Sequence, residues 1–388
     1  MDLATTLKSH TVRAEVRDVG TNPNHWYAIG WAKHLQAGQV MQAIVWQQAI
    51  AVYRDAEGTL HALEDACPHK GVELHRGKVM GQHLACRYHG WEFDTDGQCV
   101  KVPYLPKGQK LPCAQARSYP VQEQYGLIWV FPGDASLADD RQPPVMPEYT
   151  EPGWLKVFVT GHFNAHFSIC NENSMDVFHG FLHENLQGWF DPRLLSLSET
   201  EDAVCAEYQV SYKGHMAKFL GLSERADQVT TLPITVQYRY PHYQSSLQGV
   251  SALYLMRLPV SPVKSRSFAL FFFKIRLPQW LLKPLEPLLQ WVLERFVLMK
   301  FLAQDIEMME SEQRQYLANP QRRYVEINPA IIAVQRLIVR QYERFKQSAS
   351  QTSMNGHKAL SPVVYRSVAM QQPNAEPSGW VPDRTDST

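Results

Sequence analysis

The sequence predicts an α+β protein in two parts: an N-terminal all-β domain, then a domain in which an antiparallel sheet carries flanking helices. Three observations predict this. Short runs of β-branched and aromatic residues, punctuated by turn residues, fill the stretch from His25 to Phe131. Between Trp154 and Ile275, strand-like runs bracket one segment, Ile169–His183, whose apolar period changes from two to three-and-four. Two longer periodic segments, Pro287–Tyr316 and Pro329–Phe345, then read as helices.

In chain order, His25–Gly30 begins the first domain, and Gln42–Trp46, Ala49–Arg54 and Leu60–Leu63 continue it as strands. Glu92–Asp94 and Cys99–Val102 flank Asp96-Gly97, a hairpin signal, and Tyr119–Gln122 with Gly126–Phe131 close the domain. Pro143, Pro144 and Pro147 mark a linker. In the second domain Trp154–Phe163, Cys205–Tyr212, Val236–Tyr240, Ser251–Leu258 and Ser267–Ile275 are the expected strands. From Gln347 the chain is rich in Ser, Gln and Pro without periodicity, which reads as a mostly extended or disordered tail that its own Tyr365 and Trp380 could dock. The expected domains are 22–135, 136–346 together with 1–21, and a tail over 347–388.

Cys67-Pro68-His69 and Cys86-Arg87-Tyr88-His89, sixteen residues apart, supply two thiolates and two imidazoles. That is the donor set of a Rieske [2Fe–2S] centre, in which His replaces Cys on one iron. Neutral imidazoles leave less negative charge on the cluster and raise its potential. Pro68, Gly71 and Gly90 suit tight loop tips that aim N–H groups at sulfur. Zinc also accepts Cys2His2, but zinc-finger spacing puts two Cys on one clip and two His on the other, whereas each clip here is mixed.

Asn173, Asp176, His179 and His183 follow at steps of three, three and four, which on a helix share one face. Two His four apart can hold one metal, and two His with one carboxylate is the usual donor set for O2-activating non-haem Fe(II). For an isolated His-x3-His, a pair of buried core histidines is the plainer reading; downstream of the Cys/His clips the metal reading gains. The best third ligand is Asp305, an acid late in an apolar helix, with Glu307 next and a solvated acidic face as the bland alternative.

Composition bounds the rest. The chain has 388 residues, 45% hydrophobic and 20% charged, with zero formal net charge, which suits a globular enzyme and gives no sign of a nucleic-acid partner. Six cysteines, two of them claimed by the clips and four without clip spacing, point to a reducing, cytoplasmic compartment. Residues 1–19 carry scattered charge and no apolar core, so they do not read as a secretory signal. Leu277–Leu302 is the most apolar region, but Lys283, Glu286, Glu294, Arg295, Lys300 and two prolines interrupt it below the roughly 20 residues of a spanning helix.

Together the two motifs resemble those of the Rieske non-haem iron oxygenases, the alpha-subunit type of ring-hydroxylating oxygenase, over about residues 22–320. Many members space the two His by four residues rather than three, so the resemblance leaves the ligands intact without fixing a subgroup. It implies a helix-grip-like catalytic domain and a head-to-tail homotrimer in which the cluster of one subunit serves the iron of its neighbour. It implies that Cys67 and Cys86 hold one iron of the cluster and His69 and His89 the other. His179, His183 and Asp305 would hold the mononuclear Fe(II), and Asn173 would stand near it. Asp176 would bridge His179 to a cluster histidine across the interface, His89 in this reading. Electrons would come from a separate reductase or ferredoxin, since no dinucleotide fingerprint or plant-type ferredoxin clip is present in this chain. With O2, a C–H or C=C bond would be hydroxylated, or an N- or O-methyl group removed.

For the substrate the sequence offers Phe178, Phe181, Leu182, Leu186, Trp189 and Phe190 around the histidines as pocket candidates, with core packing as the bland alternative. The apolar surplus of Leu277–Leu302 would close a pocket or lie on a membrane surface, which points to a hydrophobic substrate. Two other readings stand beside the oxygenase: a Rieske electron-transfer protein without turnover, and a binding protein that has kept the fold.

Overall fold

The computed structural model describes residues 16–186, 189–214, 218, 222, 224–225, 227–247, 249–275, 278–354 and 379–382. Two compact units divide the chain: Asn22–Pro144 is one, and the described parts of Met1–Thr21 and Val145–Thr388 form the other.

The first unit is built of short antiparallel strands. They are β1 (Tyr27–Trp31), β2 (Val40–Val45), β3 (Gln48–Arg54), β4 (Leu60–Glu64), β5 (Lys78–Met80), β6 (His83–Ala85), β7 (Glu92–Phe93), β8 (Cys99–Lys101), β9 (Val121–Gln124) and β10 (Leu127–Val130). They pair as β1-β10-β9, β2-β3-β4 and β5-β6-β7-β8. The β7–β8 turn forms where expected: Asp94 Oδ1 accepts the N–H groups of Asp96 and Gln98, and Gly97 takes φ +81°. Tyr53, Leu63, Leu74, Leu84 and Phe93 make one core, and Cys67 and Cys86 are buried against it.

The second unit is an eight-stranded antiparallel sheet. Its strands are β11 (Trp154–Phe163), β12 (Trp189–Glu199), β13 (Ala203–Tyr212), β14 (Thr230–Arg239), β15 (His242–Leu247), β16 (Ser251–Ser261), β17 (Lys264–Lys274) and β18 (Gly379–Pro382). Their order is β12-β13-β14-β15-β16-β17-β11-β18. Among the described residues its longer helices are α1 (Phe167–Met175), α2 (Gln279–Leu293), α3 (Met299–Ala318) and α4 (Pro329–Met354). Helix α1 packs on strands β14 to β17 and on α3 and α4. Arg17 ties the N-terminal segment in: it donates to Ser168 and Glu172, both in α1, and to Glu312 of α3 at 2.9 Å. Among the described residues no helix is long and apolar enough to cross a membrane.

The elements differ from expectation in several places. The helix expected over Ile169–His183 ends at Met175, and Val177–Leu186 continues in 3₁₀ geometry. Asp176 makes the break: its Oδ1 accepts the Phe178 N–H at 3.0 Å, a local bond that competes with the helix. The helix expected from Pro287 begins at Gln279, because Pro284 and Pro287 lie on its exposed side, where solvent reaches the carbonyls they leave unpaired. It passes through a π-turn, Glu294–Leu298, before α3. The last helix runs further than Phe345: α4 reaches Met354, with Phe345 and Ala349 still buried, and Trp380, named as a docking residue, lies in Gly379–Pro382, which pairs with β11 as β18. Strands β5, β6, β12 and β15 lie outside the runs the sequence marks as strands. Tyr365 and the extreme N-terminus lie outside the described residues.

Candidate metal centres and cavity

The two clips are built alike. Cys67 N–H donates to Val72 O and Gly71 N–H to Cys67 O; Cys86 N–H donates to Trp91 O and Gly90 N–H to Cys86 O. Gly71 and Gly90 take φ +73° and +68°, which lets each loop close over a sulfur. Both Cys are buried, while His69 and His89 are half-exposed with ring centroids 4.8 Å apart. Trp91 stacks on His69 at 4.4 Å and donates to the Tyr104 hydroxyl at 2.7 Å.

These residues fit a [2Fe–2S] cluster better than a single ion. Burial, together with the neighbouring Cys86, pushes the Cys67 thiol up to about 11, so a thiolate persists there only against a bound cation. A tetrahedral zinc would need all four donor atoms around one point. Among the described residues the donors that converge in this way are those of His179, His183 and Asp305, and the four clip residues do not.

The donor atoms of His179, His183 and Asp305 lie within 4.8 Å of one another. Asp305 Oδ1 stands 3.3 Å from His183 Nε2 and 3.7 Å from His179 Nε2, yet it is buried without an aligned hydrogen bond. A buried carboxylate oxygen facing two imidazole nitrogens without bonding either fits a metal ion between them. Burial, weighed against the carboxylate, drives the two histidines apart in acidity. For His179, burial outweighs the charges of Asp305 and Asp176 and lowers its pKa. For His183, burial is outweighed by the adjacent Asp305 carboxylate, with help from Gln304, and its pKa is raised.

Gln304 Oε1 lies 2.9 Å from His183 Nδ1. With His183 Nδ1–H donating to that oxygen, the Nε2 lone pair is left facing Asp305, the arrangement a metal-binding imidazole needs. On the opposite side, the Trp189 ring lies 5.3 Å from His179 and 5.4 Å from His183, and its Nε1–H donates to Val177 O at 2.6 Å. Gly180 permits that approach, since a Cβ there would fall 2.6 Å from Trp189 O.

Asp176 is half-buried. Its Oδ1 takes the Phe178 N–H and, at 3.1 Å, Asn328 Nδ2, rather than a proton from His179. The other carboxylate oxygen makes no hydrogen bond among the described residues, and Asp176 acts on His179 through its charge. Asn173 lines the cavity beside the histidines.

That cavity measures about 290 Å³, at the lower end of ligand-site volumes. Its walls come from the inner faces of β13 to β17, including Val210, Val236, Leu255 and Phe271, and from Leu298, Phe301, Leu302 and Met309. Leu298, at the end of the π-turn, and Leu302, Asp305 and Met309 of α3 recur at steps of four, three and four, so one continuous helical face supplies both apolar wall and carboxylate. The preceding π-turn sets that face, a role such turns often have at functional sites.

Of the six expected pocket residues, Trp189 lines the cavity; Phe178, Phe181, Leu182 and Phe190 do not, and Phe181 is 86% exposed. Leu186 has no described side chain. The 3₁₀ segment turns those apolar residues away, and strands distant in sequence form the wall instead. Arg257, fully buried in the cavity lining, donates to Ser267 Oγ, Cys170 O and Ser174 Oγ, which holds β16 to α1. Neither Gln304 nor Arg257 carries a sequence signature.

Residues 25–120 match the Rieske [2Fe-2S] domain, and residues 163–344 match the vanillate O-demethylase oxygenase C-terminal domain. The chain belongs to the Rieske non-haem iron oxygenases. It is an oxygenase with a Rieske [2Fe–2S] cluster and a mononuclear iron, supplied with electrons by a separate reductase or ferredoxin, rather than an electron carrier alone.

Among relatives, 4beta-methylsterol monooxygenase of Methylococcus capsulatus is 34% identical over 348 residues, covering 87% of this chain and 92% of that protein. The oxygenase component of dicamba O-demethylase from Stenotrophomonas maltophilia is 35% identical over 159 residues, 40% of this chain and 45% of that one. In fold, dicamba monooxygenase bound to 3,6-dichlorosalicylic acid superposes with a TM-score of 0.68 at 21% identity, over 85% of this chain and 99% of that chain.

Proposed function

We propose that this oxygenase hydroxylates a largely apolar, methyl-bearing ring compound of the sterol class, with dealkylation where the attacked carbon is an N- or O-methyl group. One observation carries the reading: the His179–His183–Asp305 group opens into a cavity whose walls are mainly apolar side chains. The similarity to a 4beta-methylsterol monooxygenase over 92% of its length supports it.

In this reading Cys67, Cys86, His69 and His89 hold the cluster, and His179, His183 and Asp305 hold the iron. Bound there, the iron supplies O2 reduction, so that RH, O2, two electrons and two protons give ROH and water. The protein's part is positional. Gln304 fixes the His183 ring, and Trp189 walls both histidines. Phe301, Leu302 and the strand residues exclude water and hold the apolar substrate against the open side of the site. Asp176, with one oxygen unbonded among the described residues, joins a cluster histidine of a neighbouring subunit to His179 in a homotrimer. The enzyme works in the cytoplasm, at the periphery of a membrane that stores its substrate.

The test is O2 uptake by the purified oxygenase with an electron donor, comparing a 4-methylsterol with vanillate and dicamba. Coupled uptake and a hydroxylated sterol are expected; turnover of the aromatic acids alone would overturn the substrate class.

A further inference from the structure

We propose that the outward face of α2 and the π-turn is a bilayer-docking surface, which seats the cavity wall on an anionic membrane. The proposal rests on the apolar-substrate reading for its purpose, but not for its test.

Trp280 is 73% exposed, Leu288 57% and Phe296 53%; Leu285 and Trp291 are also exposed. Trp280, Leu288 and Trp291 fall on one side of the helix, together with Pro284 and Pro287. The opposite side is anchored: Leu282, Leu293 and Leu298 are buried, and Gln290 Nε2 donates to Lys156 O of β11 at 2.9 Å. The exposed apolar face is therefore not a loose segment but the outer side of a packed helix.

Charge selects the occupant. Between Gln279 and Lys300 the exposed charged residues are Lys283, Arg295 and Lys300, and none forms an ion pair among the described residues. The two acids of the stretch are withdrawn: Glu286 is half-buried beside Gln290, and Glu294 is buried. Tryptophans on the apolar side with lysine and arginine at its margins are the pattern of a helix lying in an anionic membrane interface. A protein partner would need no such sorting of charge.

Continuity with the site gives the surface its use. The turn that exposes Phe296 places the next two residues, Val297 and Leu298, in the cavity lining. A lipid-dissolved substrate would thus cross one layer of side chains between bilayer and cavity.

Flotation of the full-length protein with vesicles tests this, using phosphatidylcholine alone and phosphatidylcholine with phosphatidylglycerol. The wild type should float with the anionic vesicles and be released by high salt. W280S/L288S/W291S should bind about tenfold more weakly or worse, since binding follows buried apolar area, and K283E/R295E should lose the preference for anionic lipid. The cluster absorption spectrum and circular dichroism check that the variants fold. Brominated lipid provides a second measurement on the wild type, whose tryptophan fluorescence should be quenched.

Wild type that stays with the soluble fraction, or a triple variant that binds as well as wild type, would overturn the proposal. So would a triple variant whose only change is a smaller oligomer, which would make the face a subunit interface. Substrate turnover does not enter the readout, so failure here leaves the oxygenase reading standing, and an inactive protein that floats leaves the docking surface standing.

Discussion

Replacing Gln304 by leucine removes the side chain that fixes His183. His183 is almost fully buried, and Gln304 Oε1 sits 2.9 Å from its Nδ1. Leucine fills a similar volume but leaves that N–H without an acceptor, at a cost of about 1–3 kcal/mol. In the iron-free protein the ring can turn to relieve the penalty, and rebuilding the binding orientation then falls on metal binding. Losing such an outer hydrogen bond typically weakens metal affinity about 10–100-fold, which corresponds to about 1.4–2.8 kcal/mol and matches the first figure. The assay is titration of iron-depleted protein with Fe(II) under anaerobic conditions, with the cluster spectrum as internal control. Gln304→Glu should bind iron at least as tightly as wild type, because a carboxylate accepts the same bond more strongly. Unchanged iron affinity in Gln304→Leu would refute the reasoning and return Gln304 to ordinary packing.

Other predictions address the remaining groups. Asp305→Ala should deplete the mononuclear iron and leave the cluster spectrum intact; unchanged iron content would move the third ligand to another acid, with Glu307 tested next. Asp176→Asn keeps an oxygen for Phe178 N–H and Asn328, so both metals should stay bound while turnover falls by orders of magnitude; metal loss or full activity would contradict the bridging role. His166 lies buried, accepting from Ser168 N–H and donating to Val19 O, and burial with the nearby Arg17 charge lowers its pKa from 6.5 to about 3. Because the folded pKa is the depressed one, the unfolded chain takes up the proton first. The contribution is therefore complete above pH 6.5 and is lost as pH falls from 6.5 towards 3, by roughly 5 kcal/mol in the limit. His166→Asn should flatten that acid limb in chemical denaturation, and an unaltered pH profile would argue against it.

The residues proposed as donors are legible in the sequence because their chemistry is local. Cys67–His69 and Cys86–His89 each sit on one loop, and His179 and His183 on one turn. Asp305 is legible as an acid in an apolar helix. What the sequence hides is set by distant contacts or by departures from regular period. The Asp176 bond to Phe178 N–H breaks a helix that the spacing alone would continue. The π-turn at Glu294–Leu298 shifts the helical face by an amount no apolar pattern announces. Strand β12 is masked by Asp191, at φ +49°, and Pro192, which read as turn residues. Strand β18 pairs with β11 across more than two hundred residues of chain, and the cavity wall is assembled from strands far apart in sequence, so neither has a local signal. Gln304 looks like any polar residue on an amphipathic helix until His183 is placed beside it.

The measurement that tests the account most directly is iron and acid-labile sulfide per chain, on protein purified without oxygen. Two centres predict about three irons for every two sulfides, with about one iron lost in Asp305→Ala and both sulfides retained. About two irons for two sulfides, persisting after Fe(II) is added back, would mean that His179, His183 and Asp305 do not hold a metal, and the assignment of the catalytic site would fail.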